Sequence, residues 1–349
     1  MRPESPSRST ARRGVRRARL FAPAILVLAP VLAACSSGDS SDEDTLVVYV
    51  GRDEALVAPL LEQFTEDTGI EIETRYAGTS DHLATLLEEG ERTPADVFLS
   101  QDAGALGALS DAGLLQPLPA EVADRVAAPF TSADDTWVGV TGRARVIAYN
   151  TDAVSADEIP DNVAALTEDE WSGRVGIAPG NASFQAFVTA FRVAEGDDAA
   201  RTWLEDLAAN DVQTFEGNSD ILQALRDGVL DVGLINHYYL YEAAAEVGAD
   251  TIPVALEFPR AGDPGALVNV TGAAALSDHP DADDLLAYLV SDDAQRYFVE
   301  NTSEYPLVEG IDPPEGLPTL SDIEGPIDDL ALLADLEASL LMIEEAGLS

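Results

Sequence analysis

The chain has 349 residues and a formal net charge of −45 at pH 7, because 64 Asp and Glu outnumber 19 Lys and Arg. A surface this negative repels the phosphates of nucleic acids, so nucleic-acid binding is excluded. No lysine occurs anywhere in the sequence, which also excludes a P-loop and lysine-based Schiff-base chemistry.

The first 34 residues are typical of an export signal. Seven arginines lie between Arg2 and Arg19, an apolar run follows from Leu20 to Leu32, and two alanines precede Cys35. The run is shorter than the about 20 residues that a membrane span needs. Because Leu32-Ala33-Ala34-Cys35 resembles a bacterial lipobox, we expect a lipoprotein signal peptide over residues 1–34. Acylated Cys35 would then anchor the chain at the extracytoplasmic face of the cell membrane.

Residues 35–44 form a polar segment, with no apolar side chain after Cys35, and this composition predicts a flexible tether. The roughly 300 residues that follow exceed the usual size of a single hydrophobic core, so we expect two domains.

From residue 45 onward, short apolar runs alternate with segments of helical periodicity. Strands are predicted at 46–50, 70–76 and 95–99, and helices at 56–68, at 80–89 and from residue 102. This β-α-β-α-β order is typical of a parallel sheet with helices on both faces, whose ligands bind at the carboxyl ends of the strands. Later strands are predicted at 145–149, 175–178, 231–236 and 266–275, and helices at 183–194, 197–209, 219–226, 281–290, 292–300 and within 317–348. The pattern predicts an α/β protein with two lobes and a ligand cleft between them.

Five regions of the chain, in order, carry a resemblance to a known family. They are Tyr49–Arg52, Thr141–Asn150, Trp171–Gly176 with Pro179–Phe184, Asn218-Ser219 with Asp231–Tyr239, and Glu304–Leu307. The most specific is Asp231–Tyr239, which resembles a strand end that supplies two adjacent iron-binding tyrosines. Over residues 45–310 the chain resembles the ferric-iron-binding subfamily of periplasmic solute-binding proteins.

The resemblance implies a two-lobed type II periplasmic-binding-protein fold with a hinge and an interlobe cleft. Lobe 1 would contain residues 45–141 and 268–349, and lobe 2 would contain residues 142–267. It also implies a monomer that binds Fe(III) with a synergistic anion and delivers it to the membrane permease of an ABC importer. The sequence has no GxSxG or HExxH motif, so an enzymatic function is not predicted.

Fe(III) is a small, hard cation that prefers anionic oxygen ligands. By resemblance, Tyr238 and Tyr239 are the two phenolate ligands, although a free tyrosine has a pKa of about 10 and needs the charge of the metal to lose its proton. Neighbouring residues of a regular strand point to opposite faces. Both tyrosines can therefore reach one metal only if the strand has ended there and the backbone bends. Asp53 is a third candidate ligand, and a plain turn residue is the alternative.

The anion has its own set of candidate residues. Asn181, Ala182 and Ser183 open a predicted helix, and helix N-termini bind anions through their free N–H groups. The resemblance implies that phosphate or carbonate binds there beside the metal. Further candidates for contacts with this anion are Asn218, Asn236, Arg143, Arg52 and Gln101. Asn218 as a simple helix N-cap is the alternative, and of Arg143 and Arg145 one could serve only to join the lobes.

The sequence departs from the family pattern at three positions. Asp53 stands where many members have a histidine ligand, Gln101 where they have glutamate, and Phe184 where one branch has a third tyrosine. These departures leave a second hypothesis open, in which the same fold binds an aminophosphonate, phosphate or another organic anion without metal. His237 is predicted to be structural, since imidazole is a poorer partner for Fe(III).

Overall fold

The structure, a computed structural model, describes residues 45–323 and 325–348 of the chain. The predicted signal peptide, Cys35 and the polar tether lie outside these residues. Within the described ranges, no helix is both long enough and apolar enough to cross a membrane.

The described residues form ten strands and eleven α-helices. The strands are β1 Leu46–Val50, β2 Ile72–Tyr76, β3 Val97–Ser100, β4 Val138–Asn150, β5 Val175–Ile177, β6 Gln213–Thr214, β7 Val232–Asn236, β8 Val254–Glu257, β9 Val268–Ala275 and β10 Tyr305–Pro306. The helices are α1 Glu54–Thr68, α2 Thr79–Glu89, α3 Ala103–Asp111, α4 Ala120–Ala123, α5 Ala182–Glu195, α6 Asp197–Ala209, α7 Asn218–Arg226, α8 Tyr238–Val247, α9 Ala282–Leu289, α10 Asp292–Thr302 and α11 Leu336–Glu345. The predicted α/β class is confirmed.

All ten strands belong to one mixed sheet with the order β2-β1-β3-β9-β4-β7-β5-β6, and β8 and β10 also pair with β4. Neighbouring strands are parallel within β2-β1-β3 and within β7-β5-β6. In the middle, β4 is antiparallel to β7, β8, β9 and β10, and β9 is antiparallel to β3. The parallel arrangement predicted for the first three strands is confirmed. The centre of the sheet, where two long strands join the parallel groups directly, is antiparallel. We call β2, β1, β3, β9 and β10 the first half-sheet, and β7, β5, β6 and β8 the second.

Strand β4 is shared by the two half-sheets, and all 13 of its residues are buried. Its pairing partner changes in the middle: Ala144 pairs with Val268 of β9, whereas Arg145 pairs with Asn236 of β7. The backbone N–H of Arg145 also donates to the carbonyl of Leu267 at 2.8 Å. The chain thus passes between the half-sheets at residues 144–145 and again at residues 267–268.

Helix α1 shows how local sequence determines where a helix begins and ends. The carboxylate of Asp53 accepts the backbone N–H of Ala55 at 2.9 Å, which caps the first turn. The helix ends at Gly69, whose φ of 77° is a left-handed conformation that glycine adopts without steric cost. The short loop between β1 and α1 is held by this cap.

The C-terminal residues pack on three helices, α3, α5 and α6. A 3-10 turn at Leu330–Ala334 lies against α3, where Gly104 and Gly107 allow a close approach. A Cβ atom at either glycine would lie 2.7 Å from a backbone carbonyl oxygen of this turn. Helix α11 then packs on α5 and α6, although the predicted boundaries assign all of 268–349 to lobe 1.

Candidate functional site

The tyrosine pair lies where a strand changes into a helix. β7 ends at Asn236, His237 has helical backbone angles (φ −58°, ψ −39°), and α8 begins at Tyr238. This bend lets adjacent side chains point the same way, and the rings of Tyr238 and Tyr239 stack with centroids 4.4 Å apart. Tyr238 is buried and Tyr239 is half-buried. The bend that both tyrosines would need to reach one ligand is therefore present.

The surroundings of Tyr238 determine its protonation. Burial raises the pKa of Tyr238 well above its usual value, and the neighbouring Tyr239 adds to this effect, while Arg143 and Arg52 oppose it. The phenol group is therefore protonated at neutral pH. A bound cation of high charge would reverse this balance, because it stabilises the phenolate directly.

His237 lies behind the pair with both ring nitrogens in use. Nδ1 accepts the backbone N–H of Ala144 at 3.2 Å, and Nε2 lies 2.8 Å from the carbonyl oxygen of Ser303, to which it donates. Burial lowers the pKa of His237 to about 4. The imidazole is thus neutral and links β7 to β4 and to the end of α10, which is the structural role predicted for it.

A buried carboxylate pairs with two of the arginines. Glu304 is fully buried, with Oε1 at 3.0 Å from Nη2 of Arg52 and 3.9 Å from Nε of Arg143. The hydroxyls of Thr141 and Thr302 donate to its other oxygen at 3.2 Å each. Arg52, predicted to contact the anion, is thereby held in an ion pair on the first half-sheet.

Arg145 has a different set of partners. Its Nη1 donates to the hydroxyl of Ser183 at 3.1 Å and to the amide oxygen of Asn218 at 3.3 Å, and its Nη2 donates to the carbonyl of Leu234 at 2.8 Å. All three acceptors are neutral. Burial lowers the pKa of Arg145 to about 9, and the nearby tyrosines Tyr238 and Tyr239 work in the opposite direction.

The start of α5 is closely tied to Asn218. The side-chain oxygen of Asn181 accepts the backbone N–H of Ser183 at 3.0 Å, the Ser183 hydroxyl at 2.6 Å and the Asn218 amide at 3.2 Å. Asn218 does not cap its own helix, because Gly217 holds that position without a side-chain bond. The N-cap alternative for Asn218 is therefore wrong.

A cavity of about 20 Å³ lies between the start of α3, the start of α5 and β4. Its lining residues are Gln101, Asp102, Arg143, Arg145, Ala182, Ser183, Asn236, Leu267 and Asn269. Five of the residues predicted to contact the anion therefore line one cavity, namely Gln101, Arg143, Ala182, Ser183 and Asn236. Asn181 bonds to Ser183 in the cavity wall, and Asn218 bonds to Asn181. The Nε atoms of Arg143 and Arg145 are buried and have no hydrogen-bond partner among the described residues. Such unmet donors favour an anionic or polar occupant.

Sequence reasoning missed several lining residues. Asp102 and Asn269 were not singled out, although Asp102 directly follows Gln101 at the end of β3. Arg145 was named together with Arg143, one of which could bind the anion while the other only joins the lobes. The signal that could have found Asp102 is its place just after the carboxyl end of a predicted strand.

The three departures from the family pattern also have defined positions. Asp53 is exposed and caps α1, Gln101 lines the cavity, and Phe184 is fully buried. The ring of Phe184 lies 5.7 Å from the guanidinium carbon of Arg145, so an apolar face meets the cation where a hydroxyl would stand in a tyrosine.

Glu242 is a further acidic residue near the pair, one helical turn after Tyr238. Burial and Glu304 raise the pKa of Glu242 to about 7, Arg52 lowers it, and Asp53 raises it further. Its helical spacing from Tyr238 was the sequence signal that could have found it. Among the described residues, no three His, Cys, Asp or Glu side chains form a metal-binding group.

The comparison with known families defines the class of this protein. A family model for bacterial extracellular solute-binding proteins matches residues 92–322. The chain belongs to this family, and it is a binding protein rather than an enzyme.

Individual relatives narrow the class. The chain is 32% identical to the major ferric iron-binding protein of Neisseria meningitidis serogroup B over 324 residues, which cover 91% of this chain and 97% of the relative. The crystal structure of iron-bound HitA from Pseudomonas aeruginosa matches with a TM-score of 0.81 and 31% identity, over 87% of this chain and 99% of HitA. FutA from Trichodesmium, in complex with iron and citrate, matches with a TM-score of 0.77 and 27% identity, over 87% and 100% of the two chains. The resemblance to ferric-iron-binding proteins and the two-lobed type II fold are both confirmed.

Proposed function

We propose that this protein binds Fe(III) outside the cytoplasm and delivers it to the membrane permease of an ABC importer. The observation that carries the proposal is the stacked pair Tyr238 and Tyr239 at the junction of β7 and α8. Two phenolic oxygens on one side of a helix start are suited to a hard trivalent cation. The ferric iron-binding names of the relatives support the same cargo.

Binding couples to proton release in this proposal. Tyr238 is protonated in the protein alone and becomes a phenolate when Fe(III) binds, so its proton leaves the site. The guanidinium group of Arg145 stabilises both phenolates electrostatically. Acid therefore releases the metal, because protons compete with it for the same oxygens.

Asp53 is proposed as a third oxygen ligand. It follows β1, and its charge contributes to the raised pKa of Glu242, which lies on the helix that carries the tyrosine pair. The cavity beside Arg143 and Arg145 would take an anionic group next to the metal. Phosphate or carbonate is the external candidate, held by Ser183, Asn236 and Gln101.

The lobes and the anchor complete the proposal. Lobe 1 (45–141 and 268–349) and lobe 2 (142–267) would close over the metal by bending at the two chain crossings, as a monomer. Cys35, acylated after removal of residues 1–34, would anchor the protein outside the membrane. If so, Cys35→Ser expressed in a bacterial host releases the protein from the membrane fraction; a variant that stays in that fraction contradicts the anchor.

The proposal is tested by metal analysis of the mature chain after exposure to Fe(III) and gel filtration. We expect about one iron per chain and a visible absorption band from phenolate-to-iron charge transfer. Ga(III), which is also hard and trivalent but gives no such band, serves as the control for non-specific colour. A chain that retains no iron contradicts the proposal.

A second candidate function is the binding of an aminophosphonate, phosphate or another organic anion without metal. The unpartnered Nε groups of Arg143 and Arg145 favour this function, because they could donate hydrogen bonds to an oxyanion when no metal is bound. Calorimetry of the metal-free chain distinguishes the two functions. Tight binding of an organic anion together with no retained iron supports this second candidate.

A further inference from the structure

At the end of β7, the backbone makes only half of its last pairing with β4. Because Arg145 pairs with Asn236, the next opposed residues are Ala144 and His237. In an antiparallel ladder, every second opposed pair exchanges two N–H···O bonds. The first of these bonds is present here, since the N–H of His237 donates to the carbonyl of Ala144 at 3.0 Å. The return bond, from the N–H of Ala144, goes to the imidazole ring of His237 and not to its backbone.

The carbonyl of His237 has turned away from β4 into the next helix. With φ −58° and ψ −39° the residue is already helical, and its carbonyl accepts the N–H of Leu240 at 3.3 Å in the first turn of α8. Ala144 is fully buried, so its N–H could not turn to water for a partner. Nδ1 of His237 accepts this N–H at 3.2 Å. The imidazole therefore takes the place of the missing backbone carbonyl.

The other ring nitrogen fixes the orientation of the imidazole. Nε2 donates to the carbonyl of Ser303 at 2.8 Å, and a neutral ring that carries its proton on Nε2 has an acceptor at Nδ1. Ser303 follows α10 in a left-handed conformation, with φ 54°. The ring also packs against Tyr305, with centroids 4.9 Å apart. His237 is fully buried and is held by contacts on both of its nitrogens.

An extended backbone at His237 would separate the two tyrosines that follow it. If the strand continued, the carbonyl of His237 would accept the N–H of Ala144, and Tyr238 and Tyr239 would point to opposite faces. The acceptor on the side chain removes this competition, because the buried N–H is satisfied while the backbone turns. The tyrosine rings then stack on one side, with centroids 4.4 Å apart.

We propose that His237 is a positioning residue of the iron site, whose Nδ1 replaces a backbone carbonyl and so allows β7 to turn into α8 with both tyrosines on the same side. This proposal rests on the proposed function and makes it more specific. His237 does not bind the metal, since both of its ring nitrogens are used within the fold. It determines instead where the two phenolic oxygens lie.

The test compares wild type with His237→Asn and His237→Gln. Asn places an amide oxygen near the position of Nδ1 and keeps an acceptor for Ala144, whereas Gln reaches towards Ser303 and leaves that N–H without its acceptor. His82→Gln is the matched control, because His82 is also buried but contacts the carbonyl of Arg75. Fe(III) affinity is measured by competition with citrate, together with the visible absorption band.

We expect His237→Asn to bind Fe(III) within threefold of wild type with an unchanged band. His237→Gln should lose at least tenfold in affinity and shift the band, and the control should match wild type in both. Wild-type binding and an unchanged band in His237→Gln overturn the proposal. An equal loss in His237→Asn, or in His82→Gln, also overturns it.

A measurement without iron separates this proposal from the proposed function. Amide hydrogen exchange of the iron-free chain is followed by NMR, with the amide of Ile147 in β4 as the internal reference. The amide of Ala144 should exchange at least tenfold faster in His237→Gln than in wild type, and as slowly as wild type in His237→Asn. If wild type retains no iron but exchange follows this pattern, the proposed function is wrong and the role of His237 in the bend stands. If Ala144 exchanges equally slowly in all three chains, the role assigned to His237 is wrong whatever the iron result.

Discussion

The buried arginines of two clusters, Arg52 with Arg143 in the first and Arg145 in the second, differ in what neutralises their charge. On the first half-sheet, Arg52 and Arg143 share the fully buried carboxylate of Glu304. At the crossing to the second half-sheet, Arg145 is equally buried but bonds only to neutral oxygens. The first cluster has its counter-ion within the fold. The second has a positive charge that no directly bonded carboxylate compensates.

In the proposed function, this difference separates arginines that stabilise the fold from an arginine that acts on the ligand. A buried charge without a counter-ion lowers stability, and its presence is explained if a ligand supplies the missing negative charge. The groups that act on Arg145 electrostatically are Tyr238 and Tyr239, which become negative only as phenolates. Metal binding would therefore give Arg145 negatively charged neighbours, as Glu304 does for Arg52 and Arg143.

The largest effect on stability is expected at Glu304. Glu304→Gln leaves Arg52 and Arg143 buried without their carboxylate, and breaking a buried pair in this way costs about 3–5 kcal/mol. Denaturant unfolding measures the loss. The control is Asp292→Asn, which removes an exposed ion pair with Arg125 and should cost about 0–1 kcal/mol. Equal losses in the two variants would show that the Glu304 cluster is not a special source of stability.

Arg145→Met should change the affinity for Fe(III) strongly and the free energy of unfolding only slightly. The loss of hydrogen bonds is offset by removal of a desolvated charge, so we expect a change in unfolding free energy of less than about 2 kcal/mol. Fe(III) affinity should fall by at least tenfold, or about 1.4 kcal/mol. Arg145→Lys is the companion variant, since it keeps the charge but not the planar fork. A large stability loss with unchanged affinity would place Arg145 among the structural arginines.

The smallest effect is expected at Glu242, as a dependence on pH. The folded state raises the pKa of this carboxyl from 4.5 to about 7, so it binds the proton more tightly than the unfolded chain does. The free energy of unfolding should therefore fall as the pH rises from about 4.5 to about 7. The free energy of unfolding of Glu242→Gln should exceed that of wild type by about 1 kcal/mol at pH 8 and equal it at pH 4. This difference includes a discount for solvent screening. Denaturant titrations at both pH values measure this difference, and equal stability at pH 8 would contradict it.

The fold was predictable because its signals are local. The strand at 46–50 follows from an apolar run. The end of α1 follows from Gly69, because glycine tolerates the left-handed backbone there. The antiparallel centre was not predicted, since the pairing of β4 with β9 joins segments about 130 residues apart, and no local pattern encodes it.

The site was predictable to a similar degree. Tyr238 and Tyr239 were named from the resemblance of Asp231–Tyr239 to an iron-binding strand end, and the bend that this role requires is present at His237. The cavity wall at Asp102 depends on how α3, α5 and β4 meet in space, so sequence spacing alone could not reveal it. The neutral surroundings of Arg145 are likewise a property of the packed structure.

The central claim is that Tyr238 and Tyr239 bind Fe(III) as phenolates, and single phenylalanine substitutions test it most directly. Visible absorption and Fe(III) affinity are measured for Tyr238→Phe, Tyr239→Phe and the control Tyr241→Phe, a half-buried tyrosine on the same helix. The account predicts a weakened or shifted charge-transfer band and at least 100-fold lower affinity, or about 3 kcal/mol, in the first two variants, with the control unchanged. Wild type that binds Fe(III) without a visible band, or normal binding by both variants, would contradict the tyrosine assignment.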